Sequence, residues 1–369
     1  MRIGTAIIFS ILLGTISLEP GHAESGWKQV LGPRSWSFPK DYGTHPEFRT
    51  EWWYFTGNLA DGNGSRFGYQ LTFFRQGLRQ PFPHSSNQWD IRNLYLAHFA
   101  VTDAAHQNFR AFDRISRAGP GLAGASHDGM DVWLLNWRAK MEGSRIHLYA
   151  REPEMALDLK LFSRKPPVIH GKNGFSPKGP TAGQASYYVS LTDLKTEGGI
   201  RLNRSAPFLS LQGISWFDQE FGSNQLAPNQ EGWDWFGLHL SDGRDVMIYF
   251  LRLAGERIEP ASSGTLVEPD GSQVHLNLSA MNVSVLGKWK SPRSQGVYPS
   301  RWRVQIPVAG IDLTLAPWLP DQELHTENST GVIYWEGAVG GGGISNGQRV
   351  SCEGYVEMTG YAGSLGGVF

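Results

Sequence analysis

The fold is decided by Arg49-Thr50-Glu51-Trp52-Trp53-Tyr54-Phe55-Thr56-Gly57-Asn58-Leu59-Ala60, then Asp61-Gly62-Asn63-Gly64, then Phe67-Gly68-Tyr69-Gln70-Leu71-Thr72-Phe73-Phe74-Arg75. Two runs rich in aromatic and β-branched residues, joined by Asp-Gly and Asn-Gly, are the sequence form of a β-hairpin. The same grammar recurs at 94–103, 131–137, 145–150, 155–161, 186–192, 274–278, 302–308 and 350–359. No stretch keeps a helical period over three turns, so the chain is read as all-β.

The hairpin has an echo. Aligning Asp61-Gly62 with Asp242-Gly243 also pairs Trp52 with Trp233, Tyr54 with Trp235, Phe55 with Phe236 and Leu59 with Leu240. The return strands end alike, in Phe73-Phe74-Arg75 and Phe250-Leu251-Arg252. Either the chain is an internal duplication or a short match has arisen by chance among many aromatics. A polar, Pro- and Gly-rich stretch from Pro166 to Gly183 suggests a boundary, and the division is placed after the strand that follows it. The expected domains are 24–200 and 201–369. The stretch itself either lines a cleft between them or is a plain surface connection.

The 369 residues suffice for two ordinary domains. A net charge of −1 with 18% charged residues leaves no basic footprint for nucleic acid, whereas 45 Gly, 14 Trp and 12% aromatics suit many tight turns around an aromatic interior. Residues 1–23 read as a signal peptide. Arg2 precedes an apolar run from Ile3 to Leu18, and Gly21-His22-Ala23 supplies small residues for cleavage; the run is short for a membrane anchor, the other reading. The expected location is therefore the periplasm or the medium. Cys352 is the sole cysteine, so no intramolecular disulfide forms and no lipoprotein cleavage site exists.

Several blocks together resemble the secreted AttH-like, carotenoid-hydratase-related family: Arg49 to Gly57, Gly68 to Arg75, His170-Gly171, Lys178-Gly179, Ala185-Ser186-Tyr187-Tyr188, Gly232 to Phe236, Tyr334-Trp335-Glu336-Gly337 and Gly354 to Tyr361. The resemblance spans nearly all of residues 24–369 and implies two lipocalin-like (calycin) antiparallel β-barrels. It departs at Asp218-Gln219-Glu220-Phe221-Gly222: the carotenoid-hydratase branch resembles this segment but carries a functional His and Trp where this chain has Gln219 and Phe221. That difference argues against carotenoids as substrate.

The candidate chemistry is acid–base. Asp218 and Glu220, two apart on a strand, share a face; mutual repulsion and burial beside Trp216 and Phe221 would hold one of them protonated near neutrality. The alternative is an Asp turn cap and a Glu paired with arginine. Glu51, Asp234 and Glu336 each sit among aromatics where an unpaired charge is costly, so they either meet Arg75 and Arg252 or are functional. His98, inside the run 96–100, is either a proton carrier or a hydrogen-bonded core histidine. Asp218, Glu220, His98 and Glu336 are thus the catalytic candidates. Glu51, Trp53, Tyr54, Gln70, Trp233, Asp234, Trp235, Tyr334 and Trp335 are the ligand-binding candidates, with core packing the other reading for the aromatics.

No His-x-x-x-His or Cys-x-x-Cys spacing suggests a metal, and no glycine fingerprint suggests a nucleotide cofactor. Gly343-Ile344-Ser345-Asn346-Gly347 fits the nucleophile-elbow spacing, but between two strands it is read as a hairpin loop. The expected function is an exported protein that binds a hydrophobic small molecule, with isoprenoid, polyketide or phenolic compounds as the classes implied by the resemblance. It would act as a cofactor-free hydratase, lyase or cyclase through carboxylate acid catalysis. The alternative is a non-catalytic periplasmic carrier of the same ligands, with carbohydrate binding on tryptophan platforms ranked third. Envelope transport machinery is a further partner class for an exported protein of this kind, and the oligomeric state is left open.

Overall fold

The computed structural model describes residues 26–79, 91–224 and 226–365. The expected signal peptide, 1–23, lies outside the described residues. Nine main strands build the first sheet: β1 (Thr50–Ala60), β2 (Arg66–Gly77), β3 (Asn93–Asp103), β4 (Asn108–Arg117), β5 (Trp137–Glu142), β6 (Arg145–Arg151), β7 (Ala156–Ser163), β8 (Ala185–Arg201) and β9 (Leu209–Asn224). Nine build the second: β10 (Gln230–Leu240), β11 (Asp245–Leu253), β12 (Ser263–Val267), β13 (Gln273–Asn277), β14 (Asn282–Lys290), β15 (Val297–Ile306), β16 (Ile311–Pro317), β17 (Ile333–Ser345) and β18 (Gln348–Met358). Short strands supplement both, including Val168–Ile169 and Phe175–Pro177 along β8 and Glu323–His325 along β17.

The main strands run β4-β3-β2-β1-β9-β8-β7-β6-β5 in one sheet and β13-β12-β11-β10-β18-β17-β16-β15-β14 in the other, the same order strand for strand. The sequence duplication is therefore a duplication of topology, and the β1–β2 and β10–β11 hairpins are its counterparts. Both turns are held by an aspartate: Asp61 Oδ1 accepts from the Asn63 and Ser65 amides at 2.9 and 2.8 Å, and Asp242 Oδ1 accepts from the Arg244 amide at 3.1 Å. These are the local side-chain bonds that make aspartate a turn residue. The two antiparallel sheets curl into one nearly closed barrel and one half-barrel, the lipocalin-like pair that the sequence led us to expect.

The expected division at 200/201 groups β9 with the second barrel, but β9 pairs with β1 from Thr50↔Gly222 to Ala60↔Gln212, and with β8 on its other side. The chain passes to the second sheet between Asn224 and Gln230. The Pro- and Gly-rich stretch 166–183 stays with β8 and reaches across to the second sheet, where the Ile169 amide donates to Gln273 Oε1 at 3.1 Å; Lys165, just before it, meets Asp245 at 2.7 Å.

Both faces of the central strands are buried, which explains the aromatics on each. Trp53, Phe55, Tyr69, Leu71 and Phe73 fill the first barrel, and Phe236, Leu238, Ile248 and Trp302 fill the second. Residues of the opposite parity, among them Tyr54, Tyr188, Trp216, Trp235 and Tyr355, form a third cluster between the sheets. Polar bonds cross there too: Asn58 Nδ2 donates to the Gly354 carbonyl at 3.2 Å, and Thr102 Oγ1 donates to Gln322 Oε1 at 2.7 Å. The serine of Gly343 to Gly347 closes the β17–β18 hairpin, whose Asn346 and Gly347 have φ of 47° and 79°, a two-residue turn of the kind that matches strand twist.

Candidate functional site

A cavity of about 360 Å³ lies between the two sheets. Its walls come from residues of β1, β2, β3, β8 and β9 on one side and of β10, β11, β17 and β18 on the other, so the site is built where the duplicated halves meet. Trp52, Phe74, Leu96, Trp233, Trp235 and Leu251 make it largely apolar.

Of the residues singled out in the sequence, Glu51, Tyr54, Gln70, His98, Asp218, Glu220, Trp233, Trp235, Tyr334 and Glu336 line this cavity. Trp53, Asp234 and Trp335 do not. Trp53 sits in the first barrel core with its Nε1 on the Tyr42 carbonyl at 3.0 Å, and Trp335 in the second with its Nε1 on the Pro320 carbonyl at 2.7 Å. Asp234 is bound by Arg252 Nε at 3.1 Å and by the Tyr361 hydroxyl at 3.0 Å.

The three acids embedded among aromatics therefore separate. Asp234 has its arginine. Glu51 has Arg75 Nε at 3.3 Å and His45 Nδ1 at 2.8 Å; burial works against its charge, but His45, Arg75 and the His45 amide outweigh it and hold the carboxyl down at about 2. Among the described residues Glu336 has no cation. It is fully buried, its Oε1 accepts no hydrogen bond, and on the adjacent strand its cross-strand partner is Glu357. Burial, reinforced by the Glu357 charge, raises Glu336 well above the usual carboxylate range, against the hydroxyls of Tyr54 and Tyr334. Burial likewise pushes Glu357 up to about 7, with the charges of Asp218 and Glu220 adding to it and the Trp233 side chain opposing.

Asp218 and Glu220 do share a face but not a fate. Glu220 forms an ion pair with Lys178 Nζ at 2.7 Å and accepts the Ser186 hydroxyl. Burial opposes the Lys178 ammonium, yet Glu220 and Tyr249 outweigh it and keep the lysine charged. Asp218 has no cation among the described residues; it accepts from Tyr188 Oη at 2.6 Å, Trp216 Nε1 at 2.6 Å and the Ser190 hydroxyl. Burial overcomes these donors and brings Asp218 to about 7. Phe221 and Gln219 point to the other face, where Phe221 stacks on His45 at 3.6 Å and Gln219 Nε2 donates to the Gly43 carbonyl at 2.9 Å. The departure from the carotenoid-hydratase pattern thus falls behind the cavity wall.

His98 bridges the sheets. Its Nδ1 lies 2.8 Å from Tyr334 Oη and its Nε2 3.0 Å from Ser329 Oγ, and burial lowers its proton affinity to about 4, so the imidazole is neutral at pH 7. Lys178, Tyr188, Tyr249 and Glu357 were not singled out as candidates, yet all four line the cavity. The signal for Glu357 was present. The Asn346-Gly347 turn fixes the register, and counting outward from it puts Glu336 opposite Glu357.

A raised pKa makes Asp218 a proton binder in the folded state. Between its ordinary value of 3.8 and about 7 the folded chain holds a proton that the unfolded chain has lost, so this group's contribution to stability falls as pH rises through that window. Replacing Asp218 by Asn removes the dependence. Relative to the parent protein, Asp218→Asn is expected to gain stability by up to about 4 kcal/mol from pH 4 to pH 7. Urea unfolding at a series of pH values measures it, and a constant offset between the two proteins contradicts the assignment.

Among the described residues no group of His, Cys, Asp or Glu is placed to hold a metal ion, and no helix is long and apolar enough to cross a membrane. A family model described as AttH-like matches residues 29–361. An AttH protein of Nitrosomonas europaea is 33% identical over 90% of this chain and 99% of that one, with a TM-score of 0.80. Kievitone hydratase of Nectria haematococca shares the fold at 16% identity, over 92% and 97% of the two chains, with a TM-score of 0.68. CghA shares it at 12% identity, over 89% and 97%, with a TM-score of 0.52. No curated protein matches the sequence.

Proposed function

The chain belongs to the AttH-like family, and on that premise we propose that it is an exported, cofactor-independent enzyme that moves protons on a hydrophobic small molecule held between its two barrels. The observation that carries this reading is Glu336: a buried carboxyl in an aromatic cavity, with no cation beside it among the described residues, set opposite a second acid. An acid kept neutral at pH 7 is what protonation of an alkene, an enol or a leaving hydroxyl needs.

The neighbouring acids divide the work by their surroundings. Glu336 donates. Asp218, poised near neutrality, accepts the proton of the attacking water, and Glu220 is held in its pair with Lys178. Trp52, Trp233 and Trp235 present π faces worth about 1–2 kcal/mol each to a cationic intermediate in a dry site. Addition of water, its elimination, and cyclisation all follow this pattern of charge. The kievitone hydratase that shares the fold is one protein in which such a frame houses a hydratase. Isoprenoid, polyketide and phenolic alkenes fit the aromatic walls.

The experiment uses the chain recovered from the periplasm, expected to begin at Glu24 after cleavage. Incubation in ¹⁸O water with a panel of prenylated phenols, polyenes and terpenoid alkenes, followed by mass spectrometry, is expected to show one class gaining the label or losing unlabelled water. Bound compounds that come back unchanged from every class, with no exchange of label, sink the enzyme reading and leave a carrier.

A further inference from the structure

Asp218 lies in the cavity, but the bonds behind it lead away from the cavity. Its Oδ1 accepts the Ser190 hydroxyl, and Ser190 Oγ is 2.6 Å from His170 Nε2. On the other side of the ring, His170 Nδ1 is 2.8 Å from Thr265 Oγ1. Ser190, His170 and Thr265 are all buried, and they connect the first sheet, through the 166–183 stretch, to β12 of the second. The cross-strand partner of Thr265 is His275, which is exposed on β13.

The protons in this chain can be placed by elimination. Ser190 gives its hydroxyl proton to the carboxylate, so its lone pair is left for Nε2–H, and the bare Nδ1 then accepts from Thr265. His170 must be neutral for this, and it is. Burial, together with the nearby charges of Lys178 and His275, lowers its proton affinity to about 3. The Tyr188 ring, 4.2 Å away between centroids, completes its surroundings.

We propose that Thr265, His170 and Ser190 form a proton wire that exchanges protons between Asp218 and the surface at His275. The inference rests on the reading of Asp218 as a group that gains and loses a proton in turnover. A proton reaching Thr265 from solvent displaces the hydroxyl proton onto Nδ1; Nε2 passes its own proton to Ser190; Ser190 passes its own to Asp218. One proton enters, one carboxylate becomes a carboxylic acid, and the imidazole ends in its other tautomer. The reverse sequence carries a proton out. Such a route matters when a bound ligand fills the cavity and seals Asp218 from water on its open side, because the acid can then be reset without release of the ligand.

Infrared spectroscopy of the purified full chain tests this without a substrate. The band of the protonated Asp218 carboxyl is identified by its loss in Asp218→Asn, and the rate at which it shifts after transfer to D₂O is followed with the cavity filled by the apolar dye anilinonaphthalene sulfonate. His170→Gln and Ser190→Ala, each checked for an unchanged melting curve, are expected to slow the shift by at least about tenfold. Ser190→Thr is expected to restore it, and imidazole is expected to restore it in His170→Gly. Exchange at the parent rate in both slowed variants, with the band present, overturns the wire but leaves the reading of Asp218 intact. No band attributable to Asp218 at neutral pH overturns both.

Discussion

Glu336→Gln is expected to lower turnover by roughly 10²–10⁴-fold while leaving the affinity for an apolar dye within about threefold. The amide keeps the shape of the carboxyl and a hydrogen-bond donor facing the ligand, so binding survives; what it lacks is a proton it can surrender. The loss therefore falls on kcat rather than KM, the signature of an interaction needed only in the transition state. A second consequence separates chemistry from damage. Glu336 and Glu357 face each other across paired strands, and the Glu357 charge raises the proton affinity of Glu336. The amide removes that repulsion, so above neutral pH the variant is expected to melt no lower than the parent protein. An inactive variant that is also destabilised would point to a structural role. Full turnover would move the acid to Asp218, and full turnover in Asp218→Asn as well would leave the cavity a binding site.

What the sequence made legible, and what it hid, follows from how many faces each strand buries. The hairpins at Trp52 and Trp233 could be aligned because aspartate turns and aromatic runs are local signals, and the strand orders around them coincide. Which aromatics would meet the ligand could not be read the same way. β1 is buried on both faces, so alternation separates Trp53 from Tyr54 without saying which side is barrel core and which is cavity. Trp53 and Trp335 share the aromatic pattern of the cavity residues, yet both lie in the barrel cores.

Register carried more than composition did. The alternatives posed for Glu51, Asp234 and Glu336 were resolved by cross-strand geometry: Glu51 lies opposite Arg75, and Glu336 lies opposite another acid. Lys178 was hidden for a different reason. It comes from a Pro- and Gly-rich stretch whose path is set by contacts with both sheets, and no periodic pattern announces where its side chain ends.

Arg75→Met is expected to cost about 3–5 kcal/mol of stability, the largest single loss we anticipate from a residue outside the acid cluster. Arg75 is 1% exposed and donates to Glu51 Oε2, to the carbonyls of His45 and Phe48 at 3.0 and 2.8 Å, and to Asn93 Oδ1 at 3.1 Å. Methionine fills much of the volume but leaves Glu51 buried with one fewer cation and strands two carbonyls, and it is this uncompensated desolvation that sets the size of the effect. Removing both charges behaves differently. Glu51→Gln combined with Arg75→Met is expected to recover a good part of the loss, because the amide can still accept from Thr44 and from the His45 amide, which lie 2.9 Å from the Glu51 carboxylate, without a charge to bury. The pH dependence fixes the cause. Glu51 is held at about 2 in the folded chain, so its contribution is present above its ordinary value of 4.5 and is lost as pH falls toward 2. His45, whose proton affinity is raised by Glu51 and Asp41 against the cost of burial, remains as a cation bonded to Glu51 in Arg75→Met, so that variant should lose further stability as pH rises past the ordinary histidine value of 6.5 and the ring gives up its proton. Urea unfolding from pH 5 to pH 8 reads this directly: a deficit that widens with pH identifies the stranded Glu51 carboxylate as the origin, and a deficit independent of pH assigns the loss to packing and the two carbonyls instead.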